Sequence, residues 1–124
     1  MSIQILGTDG NSLSSRDVDA SANNFVYVQG QLKFSGNYVS GGDTLDWTTV
    51  ADKLCSDQCL GVFLEWQGLG NCYWPIGQAS TALNGWKVKV AQVNTYGTEH
   101  GATGYEAQYT GDVVSFTACF RKLL

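Results

Sequence analysis

The sequence predicts an all-β protein, either a single antiparallel β-sandwich or a small β-barrel domain, with at most one short helix. About six short segments alternate apolar and polar residues with a period of two, and turn-forming residues separate them. The chain has 124 residues, the length of one domain with one hydrophobic core. Its fifteen glycines against one proline indicate many turns rather than a low-complexity chain.

Residues 1–24 are predicted to be an N-terminal strand or arm with a polar loop, ahead of a β-sandwich domain over residues 25–124. "SIQIL" (Ser2–Leu6) alternates, which suits either a first strand or an arm that docks on a neighbour's sheet edge. In the arm interpretation, Ile3 and Ile5 would contact a partner. A mobile terminus followed by a surface loop explains this small, polar segment equally well.

The clearest strand is "FVYVQGQLKFSG" (Phe25–Gly36), which is rich in β-branched and aromatic residues. A period of two places five residues on its core face: Val26, Val28, Gly30, Leu32 and Phe34. The opposite face begins with Phe25 and Tyr27 and is polar after them. This strand therefore has one buried side.

The glycines and aspartates of "GNYVSGGDTLDWTTV" (Gly36–Val50) suit a phosphate loop, a calcium loop or a chain reversal. The Lys-Ser/Thr ending of a phosphate loop is missing, and the aspartates do not recur at the alternate positions of a calcium loop. Gly41 and Gly42 tolerate positive φ, and the Asp43 side chain can bond the backbone two residues on. We predict a structural turn at these three residues.

One short helix is indicated at "DWTTVADKLC" (Asp46–Cys55). Asp46 suits the N-cap, and four apolar residues recur at helical spacing after it. The β-branched run Thr48–Val50 weakens the helical pattern.

The later strands are predicted from the same alternation. "LGVFLEWQG" (Leu60–Gly68) and "NCYWPIG" (Asn71–Gly77) flank "GLGN", which is typical of a hairpin loop. Pro75 suits an edge strand or a strand end because proline lacks the N–H that a central strand needs. "GWKVKVAQVNTYG" and "DVVSFTACFRKLL" supply two more strands, each with one apolar face.

Four tryptophans in so short a chain are unusual, and core packing explains most of them. Tyr73 and Trp74 are adjacent and point to opposite faces of a strand, so at least one lies at a surface or an interface. We take both as candidate partner contacts. A sugar-binding platform would use the same residues or Trp66.

The sequence predicts no metal site and no catalytic residue. Without a secretion signal, free and mostly buried thiols are expected for Cys55, Cys59, Cys72 and Cys119. A zinc site that includes His100, or a disulfide from the "CSDQC" loop, remains an alternative. A Cys–His hydrolase would need an orienting partner that no local motif supplies, and no spacing singles out a pair of carboxylates.

Charge excludes two classes of partner. The net charge is −4 and the seven basic residues are scattered, which disfavours nucleic acid and anionic membranes. No apolar run approaches the roughly 20 residues that span a bilayer. "MSIQILGTDG" also lacks the features of a signal peptide, which indicates synthesis in a cytoplasm or assembly into a particle there.

Two segments resemble small structural proteins encoded in the head-gene region of tailed bacteriophages. They are "VQGQLKFSGNYVSGGDTLDW" (Val28–Trp47) and the C-terminal part from Trp86, about half of the chain together. The shared pattern is the "GNYVSGGDTLD" turn, a lysine-bearing strand, a Gly/Thr/Glu-rich loop, a "TGD" turn and a final strand that closes near Leu123. The "CSDQC" segment and residues 7–24 lie outside this pattern.

The resemblance implies a non-enzymatic virion protein of the capsid decoration, or cement, type. Its implied partners are the major capsid protein and neighbouring copies of itself, with trimers natural at threefold positions of the shell. It implies a place on the virion surface and no cofactor. Another virion component (tail, connector or fibre-associated domain) and a carbohydrate-binding β-sandwich module are the alternatives.

Overall fold

The protein is a small antiparallel β-sandwich, as the computed structural model shows for residues 3–38, 41–67, 72–77, 81–91 and 113–123. Within these ranges the side chains of residues 66, 67, 72 and 113 are not described. The strands are β1 (Ile3–Leu6), β2 (Val18–Asp19), β3 (Phe25–Phe34), β4 (Asp43–Leu45), β5 (Cys59–Gln67), β6 (Cys72–Gly77), β7 (Trp86–Ala91) and β8 (Val113–Arg121). The helical residues are two 3-10 turns, Ser15–Asp17 and Trp47–Val50, and helix α1 (Ala51–Leu54). The predicted fold class is confirmed as a sandwich, since the described strands do not close into a barrel.

The larger sheet has five strands in the order β1-β3-β8-β5, with β2 added to β3. The central pair, β3 and β8, runs in register from Phe25 opposite Arg121 to Leu32 opposite Val114. Burial alternates strictly along β3, and the side chains at Val26 and Val28 are fully buried. The period of two in the sequence thus predicted correctly which face of β3 meets the core.

The smaller sheet has the order β4-β7-β6. Pro75 lies on β6, an edge strand among the described strands of this sheet, as predicted for a residue that lacks a backbone N–H. The "GLGN" segment, predicted to be a hairpin loop, lies outside the described residues; of the strands on either side of it, β5 pairs with β8 and β6 pairs with β7. Periodicity identifies strands, but it does not identify their pairing partners.

The core between the sheets is built around Trp47. Its indole is fully buried, with the rings of Phe116 and Phe120 edge-on to it at centroid distances of 5.2 and 5.1 Å. Such edge-to-face pairs add about 0.5–1.5 kcal/mol each beyond the area that they bury. On the other side of the core, Tyr73 stacks on Phe34 at 5.0 Å. The aromatic content of the chain is therefore largely used for packing.

The turn after β3 forms partly as predicted. Gly41 and Gly42 have φ of 93° and 118°, values that favour glycine. Asp43 is not a turn residue, however: it is the first residue of β4 and is buried. The Asp46 carboxylate accepts a hydrogen bond from the Thr48 backbone N–H at 3.0 Å, which confirms Asp46 as the N-cap of the short helical segment.

The N-terminal segment belongs to the large sheet. β1 pairs with β3 from Ile3 opposite Phe34 to Leu6 opposite Gln31, so the strand alternative describes this segment and the arm does not. Ile3 and Ile5 are 2% and 7% exposed. Their assignment as partner contacts needs correction, because the pairing turns alternate side chains of β1 into the core.

Candidate functional site

The candidate functional site is the solvent side of the five-stranded sheet. We call it the outer face. Its side chains come from the three adjacent strands β3, β8 and β5. They are Phe25, Tyr27, Gln29, Gln31, Lys33, Ser115, Thr117, Cys119, Arg121, Phe63 and Glu65, with Gly61 among them.

Large apolar side chains are exposed at one end of the outer face. Phe25, Tyr27 and Phe63 are 39%, 43% and 67% exposed, and the rings of Phe25 and Tyr27 lie 6.5 Å apart. In the register of the sheet, Phe25 faces Arg121, Tyr27 faces Cys119, and Phe63 faces Thr117 one step further along. The three aromatic residues therefore share about one half of the face, which we call its aromatic end.

The middle of the aromatic end is a recess. Gly61 pairs with Cys119 and has no side chain, and a Cβ placed on it would find no atom within 4 Å. The partly exposed Cys119 therefore lies between Tyr27 on one neighbouring strand and an open position on the other. An apolar side chain of a partner could therefore insert at Gly61, next to Tyr27 and Phe63.

A pocket of about 340 Å³ adjoins the aromatic end and is lined by Asn24, Phe25, Arg121 and Lys122. The Lys122 ammonium donates hydrogen bonds to the carbonyl oxygens of Ala20 at 2.7 Å and Ala22 at 3.3 Å. The Arg121 side chain is exposed and forms no ion pair within the described residues. We call this pocket the cationic corner.

A second pocket, of about 290 Å³, lies beside Tyr27 and includes Asp17. The Asp17 carboxylate is already saturated. It accepts hydrogen bonds from the N–H and hydroxyl of Ser14 at 2.9 and 3.1 Å, and from the N–H and hydroxyl of Thr8 at 3.1 and 2.7 Å. The bond from the Ser14 N–H is the largest cause that lowers the pKa of Asp17 to about 2. The hydrogen bonds of Asp17 to Thr8 and Ser14, which we call the Asp17 clasp, therefore stabilise the N-terminal loop.

The partner contacts predicted on β6 are not both available. Tyr73 is fully buried, which overturns its assignment as a surface contact, whereas Trp74 is half-buried. The argument that the two cannot both face inward is consistent with this arrangement. Tyr73 cannot form part of a sugar platform, and the side chain of Trp66 lies outside the described residues.

The described cysteines Cys55, Cys59 and Cys119 are free thiols, which removes a disulfide between Cys55 and Cys59. Burial raises the pKa of the Cys59 thiol to about 12. In the described part of the chain no three His, Cys, Asp or Glu side chains come together as metal ligands. The zinc alternative also involved His100 and the Cys72 side chain, which lie outside the described residues.

No family model, no curated protein and no solved structure matches this chain. Within the residues that the structure describes, no helix has the length and apolar character to cross a membrane.

Sequence reasoning did not single out the aromatic end. The signal was present for β3, because alternation places Phe25 and Tyr27 opposite the core face. Phe63 was harder to find, since its segment "LGVFLEWQG" is apolar on both sides and its exposure depends on which residues of β8 it meets. Arg121 and Lys122 fall in the final predicted strand segment, where alternation alone does not mark them as a site.

Proposed function

We propose that this chain is a non-enzymatic structural protein of a tailed-phage virion, which binds the outside of the capsid and stabilises the shell. The observation that carries the proposal is the aromatic end of the outer face, where Phe25, Tyr27 and Phe63 are exposed together on a rigid sheet. Aromatic residues are enriched at the centres of protein interfaces. The resemblance of Val28–Trp47 and of the C-terminal part to phage head proteins supplies the identity of the partner.

A sheet face suits this task. The β3–β8–β5 framework is held by continuous pairing, so little conformational entropy is lost when it docks. Between the aromatic side chains lie uncharged polar groups such as Gln29 and Thr117, which can hydrogen-bond to a partner at the rim. Each contact need only be modest, because many sites on a shell and neighbouring copies reinforce one another.

The proposed partners are the major capsid protein and neighbouring copies of this chain, with a trimer at threefold positions as the proposed assembly. The proposal assigns the chain to the virion surface, with no catalytic residue and no cofactor. It assigns the docking role to Phe25, Tyr27 and Phe63 in place of the buried Ile3 and Ile5.

Copy number in purified virions tests this proposal. Quantitative mass spectrometry against the major capsid protein should give hundreds of copies per particle, whereas a connector or tail component gives about six to twelve. Virions that lack the protein altogether would remove the proposal, and a count near that of a connector would replace it with the other virion role.

A carbohydrate-binding module is the second candidate, because aromatic rings beside amide side chains on a flat face also fit sugars. Tyr27 with Gln29 is the arrangement that favours it. A panel of soluble glycans, titrated against the wild type and Tyr27→Ala, separates the two candidates. Saturable binding that Tyr27→Ala abolishes supports the module, and no binding leaves the decoration role.

A further inference from the structure

We infer that the cationic corner and the adjoining aromatic end bind an acidic, apolar segment of the capsid shell. This inference rests on the proposed function and adds to it the chemistry of the partner and the part of the outer face that meets it. It follows from three properties of the corner: its charge, its apolar borders and its rigidity.

The charge of the corner is positive, and among the described residues neither of its two cations has a carboxylate oxygen within 4.0 Å. Arg121 and Lys122 both line the pocket, and its described lining contains no carboxylate. Among the described residues, the Lys122 ammonium is held by the carbonyl oxygens of Ala20 and Ala22, which carry no net charge. By contrast, Arg16 and Lys53 each have a carboxylate oxygen within 4.0 Å, at 2.9 and 3.8 Å. In a chain of net charge −4, this pair is a local exception that suits carboxylates.

Apolar side chains border the two cations. Phe25 lines the same pocket and is opposite Arg121 in the sheet. Leu123 follows Lys122 directly and is 56% exposed. A segment that carries both a carboxylate and an aliphatic or aromatic side chain therefore matches the corner better than a purely acidic one. Arginine adds directional preference, because its guanidinium binds a carboxylate through two parallel hydrogen bonds.

The corner is also fixed by the backbone around it. The N–H groups of Arg121, Lys122 and Leu123 donate to the carbonyl oxygens of Gln58, Asn24 and Cys55 at 3.0, 2.9 and 3.1 Å. The end of β8 is thus tied to two separate loops. A site that is ordered before binding loses little entropy on association.

A second copy of this chain does not suit the corner in a symmetric contact. A twofold interface places the same patch of both subunits together, which would bring Arg121 and Lys122 of one copy against those of the other. Juxtaposed like charges cost several kcal/mol at an interface. A twofold contact between copies through the corner is therefore disfavoured, and the acidic segment is assigned to the shell protein on the basis of the proposed function.

Co-sedimentation tests the inference, with empty shells of the same virus assembled from the major capsid protein alone. The informative variant is Arg121→Glu, which reverses one charge of the corner at an exposed side chain. Its matched control is Lys33→Glu, the same charge change on the same outer face but at the end away from the aromatic residues. We expect Arg121→Glu to weaken binding about tenfold or more, and Lys33→Glu to bind within about twofold of the wild type. Higher salt should reduce the difference in shell affinity between Arg121→Glu and Lys33→Glu, because salt screens the charges.

Each outcome has a distinct meaning. If the wild type does not sediment with the shells, the proposed function fails, and the inference fails with it. If the wild type binds but Arg121→Glu binds as tightly as Lys33→Glu, only the inference is overturned. If the protein sediments without shells and Arg121→Glu prevents this, the occupant is another copy, which also overturns the inference. Circular dichroism of both variants checks that they fold.

Discussion

Thr8 binds the carboxylate of Asp17 twice, through its backbone N–H at 3.1 Å and its hydroxyl at 2.7 Å. Ser14 binds the other carboxylate oxygen in the same way. Gly7 makes room for this clasp, since a Cβ there would lie 2.5 Å from Asp17 Oδ2. One carboxylate thus fixes the polar loop between β1 and β2.

The clasp predicts an acid-sensitive stability. The pKa of Asp17 is lowered to about 2 in the folded protein from a usual 3.8, so its stabilisation is complete above about pH 4. It is lost as the pH falls from about 4 to about 2, where the folded protein also takes up the proton. Asp17→Asn should lower the free energy of unfolding by about 1–3 kcal/mol at neutral pH. Denaturant unfolding at several pH values should show wild type and variant converging near pH 2. A difference that stays constant with pH would contradict the role of the charge.

Gly30 is predicted to be intolerant of any side chain. It lies opposite Phe116 in the sheet, and a Cβ would lie 2.7 Å from the Phe116 ring and would also meet the backbone oxygen of Leu6. Gly30→Ala should therefore destabilise the fold by about 1–3 kcal/mol, as overpacking does elsewhere. Gly61→Ala is the matched control, because open space surrounds that position. Thermal unfolding of the two variants side by side should show a lowered midpoint for Gly30→Ala alone.

Cys55 is a residue whose replacement by glycine should stabilise the protein. It ends helix α1 with φ 53° and ψ 32°, the left-handed conformation in which a Cβ is strained. Cys55→Gly should raise the free energy of unfolding by up to about 1 kcal/mol. Cys55→Ala retains the Cβ and should show no such gain. Equal stabilities of the two variants in denaturant titrations would argue against strain at this position.

The thiols should differ in reactivity. Cys59 is buried and its pKa is raised to about 12, so little of its reactive thiolate exists near neutral pH. At about pH 8, we expect iodoacetamide to modify Cys59 at least about a hundredfold more slowly than the exposed Cys55. Peptide mass spectrometry of timed samples measures both rates, and denatured protein, in which the rates become similar, is the control. Rapid labelling of Cys59 in the native protein would show that the strand β5 region opens.

Local patterns in the sequence were enough for the longer strands and their buried sides, but they did not predict the short strands β2 and β4. The alternation in β3 and β8, the positive φ of Gly41 and Gly42 and the cap at Asp46 all depend on residues close together in the chain, and the structure has them all. The pairing of β5 with β8 was out of reach, because it joins segments about fifty residues apart. Strand pairing also determines that Ile3 and Ile5 are core residues. Alternation alone was compatible with either a core position or a partner contact.

The candidate site was the hardest feature to predict from the sequence, because it too depends on strand pairing. Phe25 and Tyr27 follow from alternation in one strand, but the aromatic end exists only because β5 brings Phe63 to the same face. The cationic corner needs Arg121 to lie beside Phe25, almost a hundred residues away in the chain. No pattern within a single segment predicts such a neighbourhood.

A cryo-EM map of the intact virion would show whether the protein binds the capsid as we propose. We expect density for this β-sandwich at many symmetry-related positions on the outside of the shell, with Phe25 and Arg121 turned toward the major capsid protein. Density confined to the tail or the connector, or a sandwich that meets the shell through its smaller sheet with Phe25 and Arg121 facing solvent, would contradict this proposal.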